Sequence, residues 1–213
     1  MIRIMIIDDH PIVREGLTSV LRGATDFTVV EQASDGDEAI EKARKCKPDL
    51  VLLDIALPSK SGLEVLKQFR LEMPAMKVLM ISAFSEKQYA VRCLKGGASG
   101  YLTKRSAATE LLTAVRKVVT GGKYVSAALA DQLASEIGSN LSAIPHERLS
   151  DREFQVLCLL GQGRTVSQIS DTLSISISAV NKYRAQILHK MNMKTTAQLI
   201  RYALDNDLTE ISE

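Results

Sequence analysis

Five polar side chains stand directly after short apolar runs of the chain. Adjacent carboxylates with a third one opposite provide the oxygen ligands that Mg2+ takes at about 2.1 Å. A carboxylate beside this ion can act as a nucleophile and form an aspartyl-phosphate. An ammonium group can pair with phosphoryl oxygens, and a hydroxyl group can donate a hydrogen bond to one of them. The candidates are Asp8 and Asp9 after IRIMII, Asp54 after LVLL, Ser82 after VLMI and Lys104 after GYLT.

The apolar runs themselves predict how these side chains are positioned. Runs this short, rich in Ile, Leu, Val and Met and separated by helix-period stretches, indicate buried parallel strands joined by crossover helices. Five such units over residues 1–121 predict a doubly wound α/β domain with a five-stranded parallel sheet. Because the carboxyl ends of parallel strands lie along one edge, we expect the five side chains to converge there. The predicted helices are 11–23, 36–46, 62–72, 85–96 and 106–120.

The composition is that of a folded protein large enough for two domains, with 213 residues of which 46% are hydrophobic. No apolar run approaches the ~20 residues of a membrane span, and an acidic pair follows the first run. We therefore expect a cytoplasmic protein with no membrane partner. The cysteines Cys46, Cys93 and Cys158 are odd in number, far apart and outside any CxxC motif, so neither disulfides nor a zinc site is expected.

The strand–helix pattern ends before residue 122, and a second domain follows a linker. Residues 122–144 are predicted as that linker, with a short helix at 126–137. Residues 145–213 predict an all-α domain of four helices, the first with Ser150 as N-cap and Glu153 in the capping-box position. Two of the helices are short and joined by a tight turn, which is typical of a helix-turn-helix. The remaining three helices are predicted at 165–173, 176–191 and 195–206.

The third helix of this domain lies in a basic stretch, since no acid occurs between Asp171 and Asp205. Ile177, Val180, Ile187, Leu188 and Met191 repeat at helical spacing, so we expect them to face the core. The opposite face has the side chains that read bases and contact phosphates when a recognition helix enters the major groove of DNA. An ordinary solvated basic face is the alternative. The DNA-binding candidates are Ser178, Asn181, Lys182, Arg184, Ala185, His189 and Lys190.

The fourth helix of the domain has an apolar face that includes Leu204. Two explanations of this face stay open, a contact between two DNA-bound copies and packing within its own domain. The candidates for the dimer contact are Leu199, Ile200 and Ala203.

The first domain resembles a known family. The stretches IIDDHPIVREGL, LVLLDIALPSKSGLEVL, VLMISAF and GASGYLTK resemble the flavodoxin-like receiver domain of bacterial two-component response regulators over residues 1–121. The resemblance implies that a sensor histidine kinase donates phosphate to Asp54. It implies a switch pair whose hydroxyl and ring report phosphorylation, by moving inward, to the face formed by the fourth helix and fifth strand. The implied Mg2+ ligands are Asp8, Asp9, Asp54 and the carbonyl of Ala56, the switch pair is Ser82 and Tyr101, and Lys104 contacts the phosphoryl group.

The second domain also resembles a known family. The segment LSDREFQVLCLLGQGRTVSQISDTLSISISAVNKYRAQILHKM resembles the LuxR-type helix-turn-helix, and the whole chain resembles a NarL/FixJ-type response regulator. Many members read TVKxH where residues 179–183 read AVNKY. The DNA sequence that those members prefer therefore cannot be inferred for this chain. The resemblance implies a transcription regulator, not an enzyme, that binds double-stranded promoter DNA as a homodimer after phosphorylation.

Two other functions stay open at this point. A magnesium-dependent phosphohydrolase that works through an aspartyl-phosphate commonly needs a carboxyl group two residues after the nucleophile, where this chain has Ala56. The receiver domain could also control a protein- or RNA-binding output. Binding that survives high salt would favour such an output, because contacts to DNA phosphates weaken steeply with salt.

Overall fold

The computed structural model describes residues 1–58, 60–84, 86–127, 129–131 and 145–209. The chain divides into two compact units, Met1–Ala134 and Ser135–Glu213. Among the described residues, no helix has both the length and the apolar character needed to cross a bilayer.

The first unit contains a five-stranded, all-parallel sheet with the strand order β2-β1-β3-β4-β5. This architecture confirms the predicted doubly wound α/β fold. The strands are β1 (Ile2–Ile7), β2 (Phe27–Ala33), β3 (Leu50–Leu53), β4 (Lys77–Ser82) and β5 (Gly100–Thr103). The helices that connect and follow them are α1 (Pro11–Arg22), α2 (Gly36–Cys46), α3 (Gly62–Glu72), α4 (Glu86–Lys95) and α5 (Lys104–Val119).

The central strands of the sheet are buried because helices cover both faces. All four residues of β3 are at most 1% exposed, as expected for a strand whose side chains are apolar on both sides. One large cluster on one face joins residues of β1, β3 and β4 to α1 and α5. A rigid sheet therefore holds the loops at its carboxyl edge.

Helix α5 begins two residues earlier than predicted, at Lys104 instead of residue 106. Thr103 is both the last residue of β5 and the N-cap of α5, and its hydroxyl accepts a hydrogen bond from the Ser106 N–H at 3.1 Å. No loop residue separates the strand from the helix. Lys104 consequently lies at the sheet edge itself.

The chain stays in contact with the first unit beyond the predicted domain end at residue 121. Tyr124 forms an isolated parallel bridge with Gly100, the first residue of β5. Of the helix predicted at 126–137, residues 127 and 129–131 are helical. Ser126 is not helical and precedes this turn; the rest of that prediction, and most of the linker predicted at 122–144, lies outside the described residues.

The second unit has the predicted four helices, preceded by a 3-10 turn at Pro145–Arg148. Ser150 caps the first helix, and the capping box with Glu153 is confirmed. The tight turn before the third helix contains Ser174 in a left-handed conformation. These features confirm the helix-turn-helix fold. The helices are α6 (Asp151–Gly161), α7 (Val166–Leu173), α8 (Ile177–Lys190) and α9 (Thr196–Asp205).

One prediction for the core of this unit is wrong. Val180 and Ile187 of α8 are fully buried, but Ile177 is 52% exposed. Ile177 is the first residue of α8, and the buried stripe of the helix begins one turn later. Helical spacing gives the direction of a side chain, but neighbouring helices decide where along the helix burial starts.

Candidate functional site

The carboxyl edge of the sheet brings the predicted acidic residues and the lysine together. Asp8 and Asp9 follow β1, Asp54 follows β3, and Lys104 begins α5. The Lys104 Nζ lies 2.7 Å from Oδ2 of Asp8 and 2.7 Å from Oδ2 of Asp54. Three side chains that are far apart in sequence therefore form one ionic cluster.

Asp54 lies in an environment that makes its carboxylate unusually basic. The side chain is 2% exposed, and its Oδ1 accepts hydrogen bonds from the N–H groups of Ile55 at 2.6 Å and Ala56 at 3.3 Å. Burial raises the pKa of Asp54 to about 6, against the opposing effect of Lys104 and with a further increase from the Asp8 charge. A carboxylate with a raised pKa is more basic, and its ionised form is a better nucleophile towards an electrophile such as phosphorus.

Lys104 stays charged in this site. Burial lowers the pKa of its ammonium group, but the charges and hydrogen bonds of Asp54 and Asp8 outweigh burial and raise the pKa above its ordinary value. Its side chain is 20% exposed, so the cation faces the edge of the sheet. A cation here can neutralise oxygens of an incoming phosphoryl group.

The acidic residues fit a divalent cation. Ligand atoms of Asp8, Asp9, His10 and Asp54 all lie within 4.8 Å of one another. The buried Oδ1 of Asp9 receives no directed hydrogen bond from the described residues, although the His10 Nδ1 lies 2.6 Å away. Its lone pairs are thus available to a cation, and hard oxygen ligands suit Mg2+. The structure places the Ala56 N–H on Asp54, and the role of the Ala56 carbonyl stays a prediction.

Ser82 and Tyr101 lie next to this cluster and are both buried, at 0% and 1% exposure. The Tyr101 hydroxyl donates a hydrogen bond to the Phe84 carbonyl at 2.9 Å, and the Phe84 N–H donates one to Ser82 Oγ at 3.2 Å. Burial raises the pKa of Tyr101 well above its ordinary value, so its hydroxyl stays protonated. The Tyr101 ring is already inside the domain in this structure, and an inward movement of Ser82 and Tyr101 on phosphorylation stays a prediction.

Sequence reasoning missed several residues that hold the acidic loop in place. Arg14 Nη1 donates to the Asp8 carbonyl at 2.7 Å, and Arg14 Nε donates to Gln32 Oε1 at 3.3 Å. A Cβ atom on Gly62 would lie 1.9 Å from the carbonyl oxygen of Asp54. The one signal in the sequence is the position of Gly62, which follows the loop after the third strand and begins the predicted helix 62–72.

The outer face of α8 is exposed, as the helical spacing predicts. Asn181 and Lys182 lie in its first half, with their side chains in solvent. Ala185, His189, Ser178 and Lys190 are exposed as well, and Arg184 is half-buried.

Lys190 has a partner of its own. Its Nζ lies 2.7 Å from Oε2 of Glu153, a capping-box residue whose side chain is only 3% exposed. Burial raises the pKa of Glu153, but the bonds from Lys190 and Ser150 outweigh it and hold the pKa below its ordinary value. This ion pair ties the last turn of α8 to the start of α6.

The dimer contact predicted on α9 is wrong for two of its three residues. Leu199 and Ala203 are fully buried within the chain, and a Cβ atom on Gly161 of α6 would lie 2.6 Å from the Cβ of Ala203. Residues that already pack against their own domain have no surface left for a partner. Ile200 is half-buried and Leu204 is 54% exposed, so they remain available.

Comparisons with known proteins identify both units. Residues 4–116 match the family of response regulator receiver domains. Residues 147–203 match the luxR family of bacterial regulatory proteins. The first match alone covers more than half of the chain.

Full-length relatives are similar over the whole chain. Response regulator GacA of Pseudomonas viridiflava is 35% identical over 213 residues, with 100% of both chains covered. Response regulator UvrY of Escherichia coli K12 is 32% identical, over 98% of this chain and 96% of UvrY. A solved structure of RcsB from Salmonella enterica serovar Typhimurium, bound to promoter P1flhDC in the presence of phosphomimetic BeF3-, is 25% identical. It superimposes with a TM-score of 0.64 over 94% of this chain and 97% of RcsB.

The acidic cluster at the sheet edge, the helix-turn-helix with its exposed face and these similarities agree with one another. The luxR family consists of DNA-binding regulators, which sets the chain apart from the aspartyl-phosphate phosphohydrolases. The chain belongs to the response regulators that join a receiver domain to a LuxR-type DNA-binding domain, and it regulates transcription through phosphorylation.

Proposed function

We propose that Asp54 receives the phosphoryl group from a sensor histidine kinase. The observation that supports this most directly is the position of Lys104, whose Nζ lies 2.7 Å from both Asp54 and Asp8. In the transfer, an oxygen of the Asp54 carboxylate attacks phosphorus, and the bond from phosphorus to the histidine nitrogen of the kinase breaks. Lys104 then pairs with one phosphoryl oxygen, and the Ser82 hydroxyl donates a hydrogen bond to another.

We propose Asp8, Asp9, Asp54 and the carbonyl of Ala56 as the residues that hold Mg2+. When bound, this ion neutralises charge on the phosphoryl oxygens as they approach the carboxylates. His10 adds a nitrogen at the rim of the same cluster. The two buried carboxylates repel each other until a cation lies between them, and Lys104 supplies that charge in the present structure.

The limits of the domains follow from the strand–helix pattern of the first unit and the helices of the second. We propose residues 1–121 as the receiver core, 122–144 as the connection and 145–213 as the DNA-binding domain. A regulator of this kind works in the cytoplasm, where its kinase and DNA are found.

We propose that two copies bind double-stranded promoter DNA with α8 in the major groove. The exposed Asn181 and Lys182 lie in the first half of the helix, where a recognition helix reaches the base edges. The RcsB complex with promoter DNA supports this assignment by its fold and by the phosphate mimic present in it. For the homodimer, Ile200 and Leu204 offer the apolar surface that α9 leaves uncovered.

The first experiment measures intact mass after incubation with acetyl phosphate and Mg2+. We expect a single phosphate adduct on the unchanged chain, and none on Asp54→Ala or in the presence of a chelator. An adduct of equal yield on Asp54→Ala would contradict the assignment. Continuous release of inorganic phosphate from an ester would instead favour a phosphohydrolase.

The second experiment measures DNA affinity against salt concentration. Removing one phosphate contact lowers the slope of log affinity against log salt by about 1. We expect this change for Lys182→Ala, whereas Lys45→Ala in the receiver domain leaves the slope unchanged. Affinity that does not depend on salt would contradict binding to duplex DNA.

A further inference from the structure

Residues 123–126 follow α5 and lie beside β5 at the edge of the sheet. We call these four residues the edge segment. The Tyr124 N–H donates to the Ser99 carbonyl, and the Tyr101 N–H donates to the Tyr124 carbonyl, both at 3.0 Å. Lys123 Nζ donates to the Ala98 carbonyl. The edge segment therefore pairs with the strand that contains the switch tyrosine.

Side chains of two helices hold the edge segment from outside the sheet. Glu86, the first residue of α4, accepts a hydrogen bond from the Ser126 N–H at 3.0 Å. Glu110 of α5 accepts one from the Tyr124 hydroxyl at 2.8 Å. Ser126 in turn caps the short helical turn that follows, because its hydroxyl accepts the Leu129 N–H at 3.1 Å. The edge segment thus depends on α4 as well as on β5.

The same contacts close a ring with the phosphorylation switch. The Phe84 N–H donates to Ser82 Oγ, and the Phe84 carbonyl accepts from the Tyr101 hydroxyl. Glu86 follows two residues later and holds Ser126. Tyr101 closes the ring, because its backbone N–H donates a hydrogen bond to the Tyr124 carbonyl.

We propose that Glu86 is the coupling residue that holds the edge segment on the sheet while Asp54 is unphosphorylated and lets it go after phosphorylation. The inference depends on the proposed role of Asp54. It identifies an output of the receiver domain that lies in the chain leading to the DNA-binding domain.

The coupling follows from the hydrogen-bond capacity of Ser82. A phosphoryl group on Asp54 draws the Ser82 hydroxyl towards itself, and the Phe84 N–H then loses its acceptor. A buried N–H without an acceptor raises the free energy of the folded state. The backbone at Phe84 therefore shifts until this N–H meets another acceptor. Glu86 is two residues away and moves with it, which removes the acceptor of the Ser126 N–H.

Hydrogen exchange on the full-length chain tests the coupling, with beryllofluoride and Mg2+ as the phosphoryl mimic. The loss of a hydrogen bond to a charged group changes local opening by about tenfold or more. We expect the amides of Tyr124 and Ser126 to exchange about tenfold faster with the mimic. The same addition to Asp54→Ala leaves both amides unchanged.

Variants of Glu86 test the residue itself, without any mimic. Glu86→Ala removes the acceptor, so Ser126 and Tyr124 exchange about tenfold faster. Glu86→Gln keeps an oxygen acceptor and exchanges at a rate closer to that of the unchanged chain. Glu110→Gln is the matched control, because this carboxylate of α5 accepts a hydrogen bond from the Tyr124 hydroxyl and not from the Ser126 N–H.

Two results would overturn the inference. If the loop after Asp54 becomes protected with beryllofluoride while Tyr124 and Ser126 keep their rates, the proposed function stands and the coupling is wrong. If beryllofluoride protects neither Asp54 nor its neighbours, the proposed phosphoacceptor and the coupling are both wrong.

Discussion

The Lys104 ammonium nitrogen and the Asp54 carboxylate are 2.7 Å apart, and Lys104 makes a second contact of the same length with Asp8. One cation therefore compensates two carboxylates that are each 2% exposed. Because burial and the Asp8 charge both disfavour ionised Asp54, the charge of Lys104 stabilises the fold and the site together.

Lys104→Ala is expected to destabilise the receiver domain. The substitution leaves two buried carboxylates without a cation, which costs about 3 kcal/mol when one partner of a buried pair is removed. Urea unfolding in the presence of a chelator measures this loss. Added Mg2+ should restore more stability to the variant than to the unchanged chain, since the ion replaces the missing charge.

Lys45→Ala is the control for that measurement. Its partner is Glu41, and both side chains are more than 60% exposed, so no measurable change is expected. Equal stability of Lys104→Ala and the unchanged chain without metal would show that the ionic cluster does not stabilise the fold.

The contribution of Asp54 to the stability of the chain should fall as the pH rises from about 4 to about 6. Burial raises the pKa of Asp54 from 3.8 to about 6, so in this interval the folded state binds a proton that the unfolded state has released. The loss is complete above the folded pKa and is on the order of 3 kcal/mol.

Asp54→Asn isolates this effect, because the amide does not titrate. We expect urea unfolding with chelator to give a stability difference between the two chains that grows in favour of the variant up to about pH 6. Parallel pH profiles for both chains would contradict a raised pKa at Asp54.

Gly62→Ala is expected to disturb the phosphorylation site without touching its charges. The added Cβ would lie 1.9 Å from the Asp54 carbonyl oxygen and 2.8 Å from its carbonyl carbon, and neither backbone atom can rotate away. Overpacking of this kind costs about 3 kcal/mol. Thermal unfolding measures the cost, and the yield of phosphate adduct should fall because the Asp54 loop is displaced.

Gly16→Ala provides the matched control. Gly16 lies in α1, and a Cβ atom there would meet nothing within 4 Å. Replacing an exposed helical glycine with alanine stabilises by about 0.5–1 kcal/mol. A destabilising effect of the same size for both substitutions would mean that the close approach at Asp54 is not the cause.

Lys190→Met separates a structural role from a DNA contact. Glu153 is buried and would lose its cation, but Lys190 is 41% exposed, so solvent screens the pair and the expected cost is only about 1 kcal/mol. The salt slope of DNA binding should stay unchanged. A slope reduced by about 1, as expected for Lys182→Ala, would show that Lys190 contacts a DNA phosphate instead.

Local patterns in the sequence were enough to predict most of the elements. Strands β1, β3 and β4 are short apolar runs, and capping residues such as Ser150 and Glu153 mark a helix start through hydrogen bonds within one turn. The start of α5 was missed because Thr103 serves as strand end and helix cap at once.

Long-range packing explains where the predictions failed. Ile177 and Ala203 both belong to helices with apolar faces, yet one is exposed and the other is buried against Gly161. The difference depends on which neighbouring helix covers each face, and helical spacing does not contain that information. Tyr124 and Ser126 fall within the predicted linker because their partners, Ser99 and Glu86, are distant in sequence.

The parallel sheet and the convergence of Asp8, Asp54 and Lys104 follow from the pattern of residues along the chain, because the carboxyl ends of parallel strands meet at one edge whatever the details of packing. The contacts around that edge, in contrast, depend on tertiary packing. The burial that raises the pKa of Asp54 and the hydrogen bond from Ser126 to Glu86 both depend on distances between separate elements. Those distances are set by how the whole domain packs, since no local pattern of residues specifies them.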